Sequence, residues 1–345
     1  MNEFRIPSVR NTRRVRSRIS TDTLVDIAPP PSASTDLTVA RPRVPGVRLD
    51  TWTSSNRATI EKHLRASGAL LLRDFKVPDA PEFERVFGGL YSDLVTEHER
   101  SSPRHRIAGN VFTSTDHPND QPIFLHNELS YATRWPLRIA FCCIIAPGTG
   151  GETPIAPIRS VTRNVPAAVR ERFREKKVMY VRNYGRGFGL SWQESFQTDD
   201  RATVEAYCRS AGLVAEWEGV NQLRTRRVAE ALARHPETGE VLWFNHATFF
   251  HVSTLGPSLR SAMTEQLPAH DLPTNSFYGD GTAIEPDILD TLRDAYERAK
   301  VTFPWQTGDV LLLDNMLTAH GRAPYSGDRR VAVAMAQPVD VGRAG

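Results

Sequence analysis

A histidine and a glutamate lie two positions apart in the stretch F-L-H-N-E-L-S-Y, and a second histidine follows much later in D-N-M-L-T-A-H-G-R. These residues are His126, Glu128 and His320. Two imidazoles and one carboxylate on one face of a metal leave three positions open, which suits an Fe(II) enzyme that binds a co-substrate and O2 together. Residues i and i+2 of a strand share a face, so we expect His126 and Glu128 to point the same way. His320 then has to come from another part of the chain.

The same His-x-Glu spacing occurs in R-H-P-E-T-G-E, at His235 and Glu237. Here Pro236 and a predicted turn at Thr238–Gly239 give the two side chains no reason to converge on a metal. The spacing alone is therefore a weak signal. For His126 taken by itself, a core histidine with satisfied hydrogen bonds is the better interpretation.

Arg330 follows His320 and begins the apolar stretch Val331–Ala336. A guanidinium is costly to bury unless it meets an anion, and arginine suits bidentate binding of a carboxylate. Arg330 thus predicts a dicarboxylate that chelates the metal at one end and pairs with the arginine at the other. An edge-strand arginine paired with Glu or Asp is the alternative.

Short strand-like runs bounded by Pro, Gly and Asn predict a mainly β protein. They include P-I-F-L-H, L-R-I-A-F-C-C-I-I-A and D-V-L-L-L-D-N. With helical patterns between the early and late strands, at about residues 160–300, they favour a β-sandwich or jelly roll with helical insertions. A parallel α/β sheet is the alternative. Against it, strands and helices do not alternate regularly along the sequence, and no glycine fingerprint follows the first strand.

The first 48 residues differ in composition from residues 49–345. They carry nine arginines and four acidic residues, together with A-P-P-P-S-A-S-T, and leave 34 basic and 36 acidic residues for the rest of the chain. This composition predicts a flexible basic N-terminal arm. It also argues against a nucleic-acid partner, because the positive charge is not part of the globular body.

Cysteine usage and hydropathy predict a cytoplasmic protein without membrane contact. No apolar run approaches the roughly 18 residues of a membrane span, and the basic N-terminus lacks the apolar segment of a secretory signal. Three cysteines are an odd count, and Cys142 and Cys143 would lie on opposite faces of a strand. An oligomeric state is left open.

Several motifs together resemble the taurine dioxygenase/clavaminate synthase superfamily (TauD/TfdA) of non-haem Fe(II), 2-oxoglutarate-dependent oxygenases. They are L-H-N-E-L-S-Y, G-T-G-G-E-T-P-I-A, V-L-W-F-N-H-A-T-F-F-H, Y-G-D-G-T-A-I-E and G-D-V-L-L-L-D-N-M-L-T-A-H-G-R-A-P-Y-S-G-D-R-R-V. The resemblance covers roughly Asp74 to Pro338 and is nearest to the branch of the syringomycin-biosynthesis hydroxylase. It implies a double-stranded β-helix (jelly roll) over residues 49–345 and the use of Fe(II), 2-oxoglutarate and O2.

The resemblance also implies roles for individual residues. His126, Glu128 and His320 match the iron ligands, Thr153 matches a hydroxyl that helps to hold 2-oxoglutarate, and Arg330 matches the arginine that binds its distal carboxylate. Arg329 is the alternative, since strand alternation lets only one of the pair face the site. A glutamate ligand, where much of the superfamily has aspartate, favours the amino-acid-hydroxylating branches and argues against the related halogenases.

The implied reaction is hydroxylation of an unactivated C–H of an amino acid or a carrier-tethered amino-acyl unit, in natural-product biosynthesis such as that of an antibiotic. Desaturation or oxidative rearrangement with the same cofactors is the alternative. A jelly-roll metal-binding protein without catalysis is a more distant one.

Further residues are candidates for the surroundings of the metal. Asn110, Arg106, Arg186 and Asn245 are candidates for substrate contacts, and Ser130 and Tyr131 are candidates for support of the metal ligands. His246 and His251 fit core or substrate-lining roles. The glycine- and aromatic-rich stretch Asn183–Gln197 is a candidate lid.

Overall fold

An eight-stranded sheet forms the centre of the molecule. The computed structural model describes residues 24–28, 37–95, 99, 101, 104–114, 117–187 and 189–340. In spatial order the strands are β1 (Val25–Ala28), β2 (Thr38–Pro42), β3 (Ala69–Leu72), β16 (Val310–Asp314), β7 (Arg134–Ile145), β19 (Arg330–Asp340), β5 (Val111–Thr113) and β4 (Arg106–Ala108). All neighbours in this sheet are antiparallel except β2 and β3. The parallel α/β alternative is therefore wrong.

The central strands are apolar on both faces because both faces are covered. Along β16, Val310 and Leu312 belong to one core cluster and Leu311 and Leu313 to another. Adjacent Cys142 and Cys143 divide between the same two clusters, and both are free thiols. The expectation that these cysteines lie on opposite faces of a strand is confirmed.

Three helices cover one face of the large sheet: α1 (Leu49–Ser55), α2 (Arg57–Ser67) and α3 (Ala80–Leu90). α3 begins after Asp79, whose carboxylate accepts the backbone N–H of Glu82 at 2.9 Å. α2 ends at Gly68, which has a φ of 79°. A side chain there would strike Thr318, so glycine both ends the helix and lets it approach the strand that carries His320.

A three-stranded sheet covers the other face. It consists of β6 (Ile123–His126), β17 (Thr318–Arg322) and β9 (Ile155–Pro157), and β8 (Thr149–Gly150) pairs with β18 (Tyr325–Ser326) beside it. Ile155 packs in one cluster with Phe141 and Leu313 of the large sheet. Two antiparallel sheets thus face each other, and the expectation of a mainly β fold with helical insertions is confirmed.

The segment between β9 and β16 corresponds to the predicted insertion. It contains α4 (Ile158–Asn164), α5 (Ala167–Lys176), β10 (Val178–Tyr184), α6 (Trp192–Phe196), α7 (Arg201–Ser210), β11 (Val214–Glu218), β12 (Gln222–Ala229), β13 (Leu232–Arg234), β14 (Val241–Trp243), α8 (Ala247–Phe250), α9 (Pro257–Gln266), β15 (Thr274–Tyr278) and α10 (Pro286–Glu297). Four of its strands form a sheet in the order β11–β12–β10–β15. In the candidate lid, Trp192 and Phe196 are buried against α7 and this sheet, so that part of the stretch is packed.

Part of the predicted flexible arm belongs to the large sheet. β2 pairs in parallel with β3, and β1 pairs with β2 as the outermost strand. For these two segments the prediction of a flexible arm is wrong, and the alternative of an ordered arm lying across the body holds, because T-V-A-R-P adds backbone hydrogen bonds to the sheet that composition alone does not reveal. Residues 1–23 and 29–36 lie outside the described residues. The helices in the described ranges are too short or too polar to span a bilayer.

Candidate metal centre and co-substrate pocket

His126, Glu128 and His320 converge between the two sheets. One potential ligand atom from each lies within 4.8 Å of the others, and all three residues are buried. The two histidines are directly opposite each other on the antiparallel strands β6 and β17, with ring centroids 4.6 Å apart. Pairing of these strands, far apart in sequence, therefore builds the two-histidine half of the cluster.

The ring of His126 is fixed by two contacts. Its Nδ1 lies 2.8 Å from the carbonyl oxygen of Phe124, and its ring stacks on Phe249 at 4.2 Å. Donation of the Nδ1 proton to this carbonyl leaves Nε2 as the lone-pair nitrogen. Burial, together with the neighbouring positive charge of His320 when protonated, lowers the pKa of His126 to about 3. The imidazole is thus neutral, as a metal ligand must be.

Glu128 is not on the strand that carries His126. β6 ends at His126, and Leu129 has a φ of 55°, so the chain turns sharply at the glutamate. The side chain of Asn315 holds this turn: its Oδ1 accepts the N–H of Glu128 at 2.8 Å, and its Nδ2 donates to the carbonyl of Glu128 at 2.9 Å. The expectation that strand alternation aligns the two ligands is wrong, since a side-chain clamp from the segment after β16 does so instead.

Arg104 contacts the carboxylate of Glu128, which the sequence reasoning missed. Its Nη2 lies 2.8 Å from Oε2, and both side chains are 6% exposed. Burial would raise the pKa of Glu128, but Arg104 and the two histidines outweigh it and hold that pKa well below its usual range. No spacing signal marked Arg104, because it precedes β4 and approaches Glu128 only in the folded chain.

His320 completes the cluster and leaves room for an ion. Its Nε2 lies 3.7 Å from Oε2 of Glu128, too long for a hydrogen bond. Its Nδ1 is buried and has no hydrogen-bond partner among the described residues. Two imidazoles and a carboxylate with a gap between them fit Fe(II).

The arginine that faces this pocket is Arg329. Arg329 lines the pocket together with Val333, whereas Arg330 does not line it. Arg330 is exposed. The assignment of Arg330 to the pocket is therefore wrong, and Arg329, the alternative, lines the pocket instead.

Arg329 has the environment of an anion receptor. Its Nε donates to the carbonyl of Gly151 at 2.8 Å, and its Nη atoms lie 3.4 Å from Oγ of Ser114 and 3.5 Å from Oγ1 of Thr153. No described carboxylate lies within 4 Å of it. Burial, together with the positive charge of Arg322, lowers the pKa of Arg329 to about 10. A half-buried guanidinium that has no carboxylate partner among the described residues, and that lies beside a metal cluster, is suited to the far carboxylate of a chelating dicarboxylate.

The pocket between the cluster and Arg329 is small in this conformation. Its volume is about 30 Å³, and Thr153, Phe141 and Val333 line it together with both histidines and Arg104. This is room for about one or two water molecules.

The residues proposed for substrate contacts do not line this pocket. Arg106 is exposed, with its guanidinium over the Phe112 ring, and Asn110 donates its backbone N–H to Glu84. Arg186 pairs with Glu218 and Asp271. The side chain of Asn245 links the carbonyl of Ala231 to the N–H of Ala247, which is a structural role.

Ser130 and Tyr131 lie close behind the metal ligands. The Oγ of Ser130 is 2.5 Å from Nδ1 of His246, whose ring contacts that of His126 edge-on at 5.9 Å. The hydroxyl of Tyr131 donates to the carbonyl of Glu99 at 2.6 Å. His246 is buried and supports the site from the side of the insertion, whereas His251 bonds to Ser253.

The second His-x-Glu pair serves a buried ionic network. Nε2 of His235 lies 3.0 Å from Asp314, and Glu237 pairs with Arg138 at 2.8 Å. The two side chains thus bind different partners, Asp314 and Arg138, and do not converge on a common site. Within the described ranges, the only cluster found that could hold a metal is the triad of His126, Glu128 and His320.

Comparison with known proteins gives this geometry its context. Residues 31–335 match the family described as taurine catabolism dioxygenase TauD, TfdA family. The chain belongs to this family. As a TauD-family member with the His–Glu–His triad in place, it is an oxygenase that uses Fe(II), 2-oxoglutarate and O2.

Similar TauD-family sequences come from bacteria and plants. The dapdiamide synthesis protein DdaC of Enterobacter agglomerans is 38% identical over 280 residues, which cover 81% of this chain and 85% of DdaC. A clavaminate synthase-like protein of Arabidopsis thaliana is 29% identical and covers 89% of this chain and 91% of its own.

Solved structures share the fold at low sequence identity. PvcB of Pseudomonas aeruginosa is 18% identical with a TM-score of 0.52, covering 91% of this chain and 92% of its own. A taurine dioxygenase from Burkholderia xenovorans is 15% identical with a TM-score of 0.52, covering 92% and 91%. PvcB is described as an Fe, alpha-ketoglutarate dependent oxygenase from an isonitrile synthetic pathway.

Proposed function

We propose that this TauD-family enzyme hydroxylates an unactivated C–H of an amino acid or a carrier-tethered amino-acyl unit in natural-product biosynthesis. The observation that carries the site assignment is the buried His126–Glu128–His320 cluster, with Arg329 lining the same pocket. The pair of facing antiparallel sheets around it supports a double-stranded β-helix, or jelly roll, as the fold in this proposal. The biosynthetic setting rests on the 38% identity with DdaC, a dapdiamide synthesis protein.

Each residue of the pocket has a defined task in this proposal. His126, Glu128 and His320 hold Fe(II), which together with 2-oxoglutarate and O2 supplies the oxidising chemistry. The carbonyl of Phe124 keeps Nε2 of His126 directed at the ion, and Asn315 fixes the backbone of Glu128. These groups set the geometry before any co-substrate arrives.

Arg329 binds the distal carboxylate of 2-oxoglutarate with help from two hydroxyls. The indole N–H of Trp305 donates to Oγ1 of Thr153 at 3.1 Å, which leaves the Thr153 proton free to point at the carboxylate. Ser114 lies on the other side of the guanidinium. Phe141 and Val333 form an apolar wall that keeps water from the reacting centre.

Desaturation or oxidative rearrangement uses the same residues and stays the alternative outcome, because substrate position decides between them. A metal-binding protein without catalysis is disfavoured by membership of an oxygenase family and by Arg329, since a simple binding module needs no dicarboxylate receptor.

The test is an anaerobic titration of metal-free protein with Fe(II) and 2-oxoglutarate, followed by optical absorption. We expect the weak visible band of the Fe(II)–2-oxoglutarate chelate, and its loss in His320→Ala. O2 is then admitted and succinate is measured with free amino acids and with amino-acyl carrier proteins. Absence of the band in the wild type would refute the site assignment, and succinate formation that no amino-acyl compound stimulates would refute the substrate class.

Arg329 and Arg330 provide a matched pair for the co-substrate. Arg329→Gln should raise the 2-oxoglutarate concentration needed for half of the band by roughly tenfold or more, because a charge-assisted contact is lost. Arg330→Gln should leave that concentration unchanged, since the Arg330 side chain is exposed and does not line the pocket. The reverse result would restore the original assignment of Arg330.

A further inference from the structure

A second pocket lies beside the metal centre and shares no lining residue with it. It is formed by the end of β12, by β13, by the loop after β14 and by the turn that follows Glu128. Its volume is about 410 Å³, within the range of small-molecule sites. We call it the Arg227 groove, and its main lining residues are Ser130, Trp135, Arg227, Ala229, Ala233 and Phe244.

The floor of the Arg227 groove is apolar and aromatic. The rings of Trp135 and Phe244 pack together with centroids 5.1 Å apart, and both residues are buried. Ala229 and Ala233 line the groove with side chains too small to fill it. Ala229, Leu232 and Ala233 are only half-buried, so a carbon skeleton laid along the groove would bury their remaining apolar surface.

One cation in the groove, Arg227, has no counter-ion among the residues that the structure describes. Nη1 of Arg227 donates to the carbonyl of Tyr131 at 2.8 Å, and no described carboxylate lies within 4 Å of the guanidinium. The acidic group that acts on it most strongly, Glu99, is already paired with Arg182 at 3.4 Å. Burial lowers the pKa of Arg227, which reflects how little solvent stabilises its charge.

Neighbouring cations are paired, which sets Arg227 apart. On the same strand, Arg226 pairs with Glu216 and Arg224 with Asp271. At the rim of the groove, Lys177 and Glu230 pair at 2.6 Å and are both about half exposed. The uncompensated charge therefore lies inside the groove, next to its apolar floor.

We propose that the Arg227 groove binds an amphipathic organic acid, with the carboxylate on Arg227 and the carbon chain across Trp135 and Phe244. An Arg–carboxylate pair in a partly buried site is stronger than one at the surface. The floor selects for an apolar chain, so inorganic anions and free dicarboxylates fit less well. This site is independent of the proposed reaction, because it uses none of the residues assigned to iron or 2-oxoglutarate.

The groove adjoins the metal centre through one residue. Ser130 lines it and also bonds to His246, whose ring contacts His126. An acid bound in the groove therefore lies one hydrogen bond and one ring contact away from a metal ligand. Its carboxylate would meet Arg227 beside the carbonyl of Tyr131, three residues after Glu128.

The test is calorimetric titration of the metal-free, full-length protein with octanoate, and with octanamide as the uncharged probe. We expect one equivalent of octanoate to bind. The affinity for octanamide should be lower by roughly tenfold or more. Arg227→Gln should weaken octanoate by a similar factor, whereas Arg226→Gln, which removes an arginine from the other face of the same strand, should not. No saturable binding, or equal binding to wild type and Arg227→Gln, would overturn the proposal.

Two further variants keep the result interpretable. Ala233→Trp retains Arg227 but fills the groove, so a folded protein with this change should lose octanoate binding. Arg329→Gln should leave octanoate binding unchanged. Loss of binding in Arg329→Gln and not in Arg227→Gln would put the acid in the co-substrate pocket and overturn the groove as its site.

Discussion

The carboxylate of Glu128 is a buried charge that needs a cation. Arg104 supplies one at 2.8 Å, with both side chains almost inaccessible to solvent. A divalent ion held by Glu128, His126 and His320 would neutralise the same carboxylate. Arg104 and the metal ion thus each neutralise the Glu128 carboxylate. If Arg104 is removed, the stability of the protein depends more strongly on the metal ion.

Arg104→Gln should therefore make the protein more dependent on metal for stability. Breaking a buried ion pair typically costs about 3–5 kcal/mol, and this loss should fall mainly on the metal-free form. We expect a lower melting temperature without metal and a larger upward shift on addition of Mn(II) than in the wild type. Differential scanning fluorimetry in both states measures this.

Arg106→Gln is the control, since Arg106 is exposed and stacks on Phe112 away from the triad. It should leave the Mn(II)-induced shift unchanged. An Arg104→Gln protein whose shift equals that of the wild type would mean that Arg104 does not neutralise Glu128 in solution.

Residue identities at this centre were accessible from sequence to different degrees. His126, Glu128 and His320 were predicted because motif order supplements a weak spacing signal. The sequence could not decide which of Arg329 and Arg330 faces the pocket. Adjacent strand residues point to opposite faces, and the sequence does not show which face is turned inward. Arg104 and Arg227 escaped because their surroundings come from segments distant in the chain.

At the scale of elements, the turn after β6 depends on the segment between β16 and β17. Asn315 is fully buried and bonds through its side chain to both backbone groups of Glu128 and to the carbonyl of Pro136. An amide side chain here replaces the strand ladder that ends at His126. The orientation of a metal ligand is thus set by a side chain on another element.

Asn315→Ala should weaken metal binding as well as the fold. Loss of three buried hydrogen bonds should cost about 2–4 kcal/mol, and a misdirected Glu128 should lower Mn(II) affinity by roughly 10–100-fold. Mn(II) binding followed by electron paramagnetic resonance gives the affinity, and urea denaturation gives the stability.

Asn245→Ala separates the two effects, because Asn245 is equally buried but bonds only to Ala231 and Ala247. It should lower stability without changing Mn(II) affinity. If both variants reduce affinity alike, general loosening of the fold, and not the position of Glu128, would explain the result.

At the scale of the whole molecule, one buried arginine joins four parts of the chain. Arg138 on β7 pairs with Glu61 of α2, Asp314 of β16 and Glu237 of the β13–β14 turn, at 2.6, 2.7 and 2.8 Å. Burial would lower the pKa of Arg138, but Asp314 and Glu61 outweigh it and raise that pKa. The network links the large sheet to the helical layer and to the insertion.

Arg138→Ala should destabilise the protein by about 3–5 kcal/mol, because it leaves buried carboxylates without a counter-ion. The urea midpoint measures the loss. Arg134→Gln, on the same strand, removes an exposed pair with Asp340 and should leave the midpoint in place. Equal midpoints for Arg138→Ala and the wild type would mean that solvent reaches the network.

The N-terminal strands carry a practical consequence for anyone who shortens the chain. A boundary drawn from composition would start the protein at Leu49 and discard β1 and β2. The backbone of β3 would then present its unpaired N–H and C=O groups along a row of buried leucines. Such a shortened protein would expose an edge strand through which copies pair with one another. A domain trimmed for solubility would therefore be prone to precipitate.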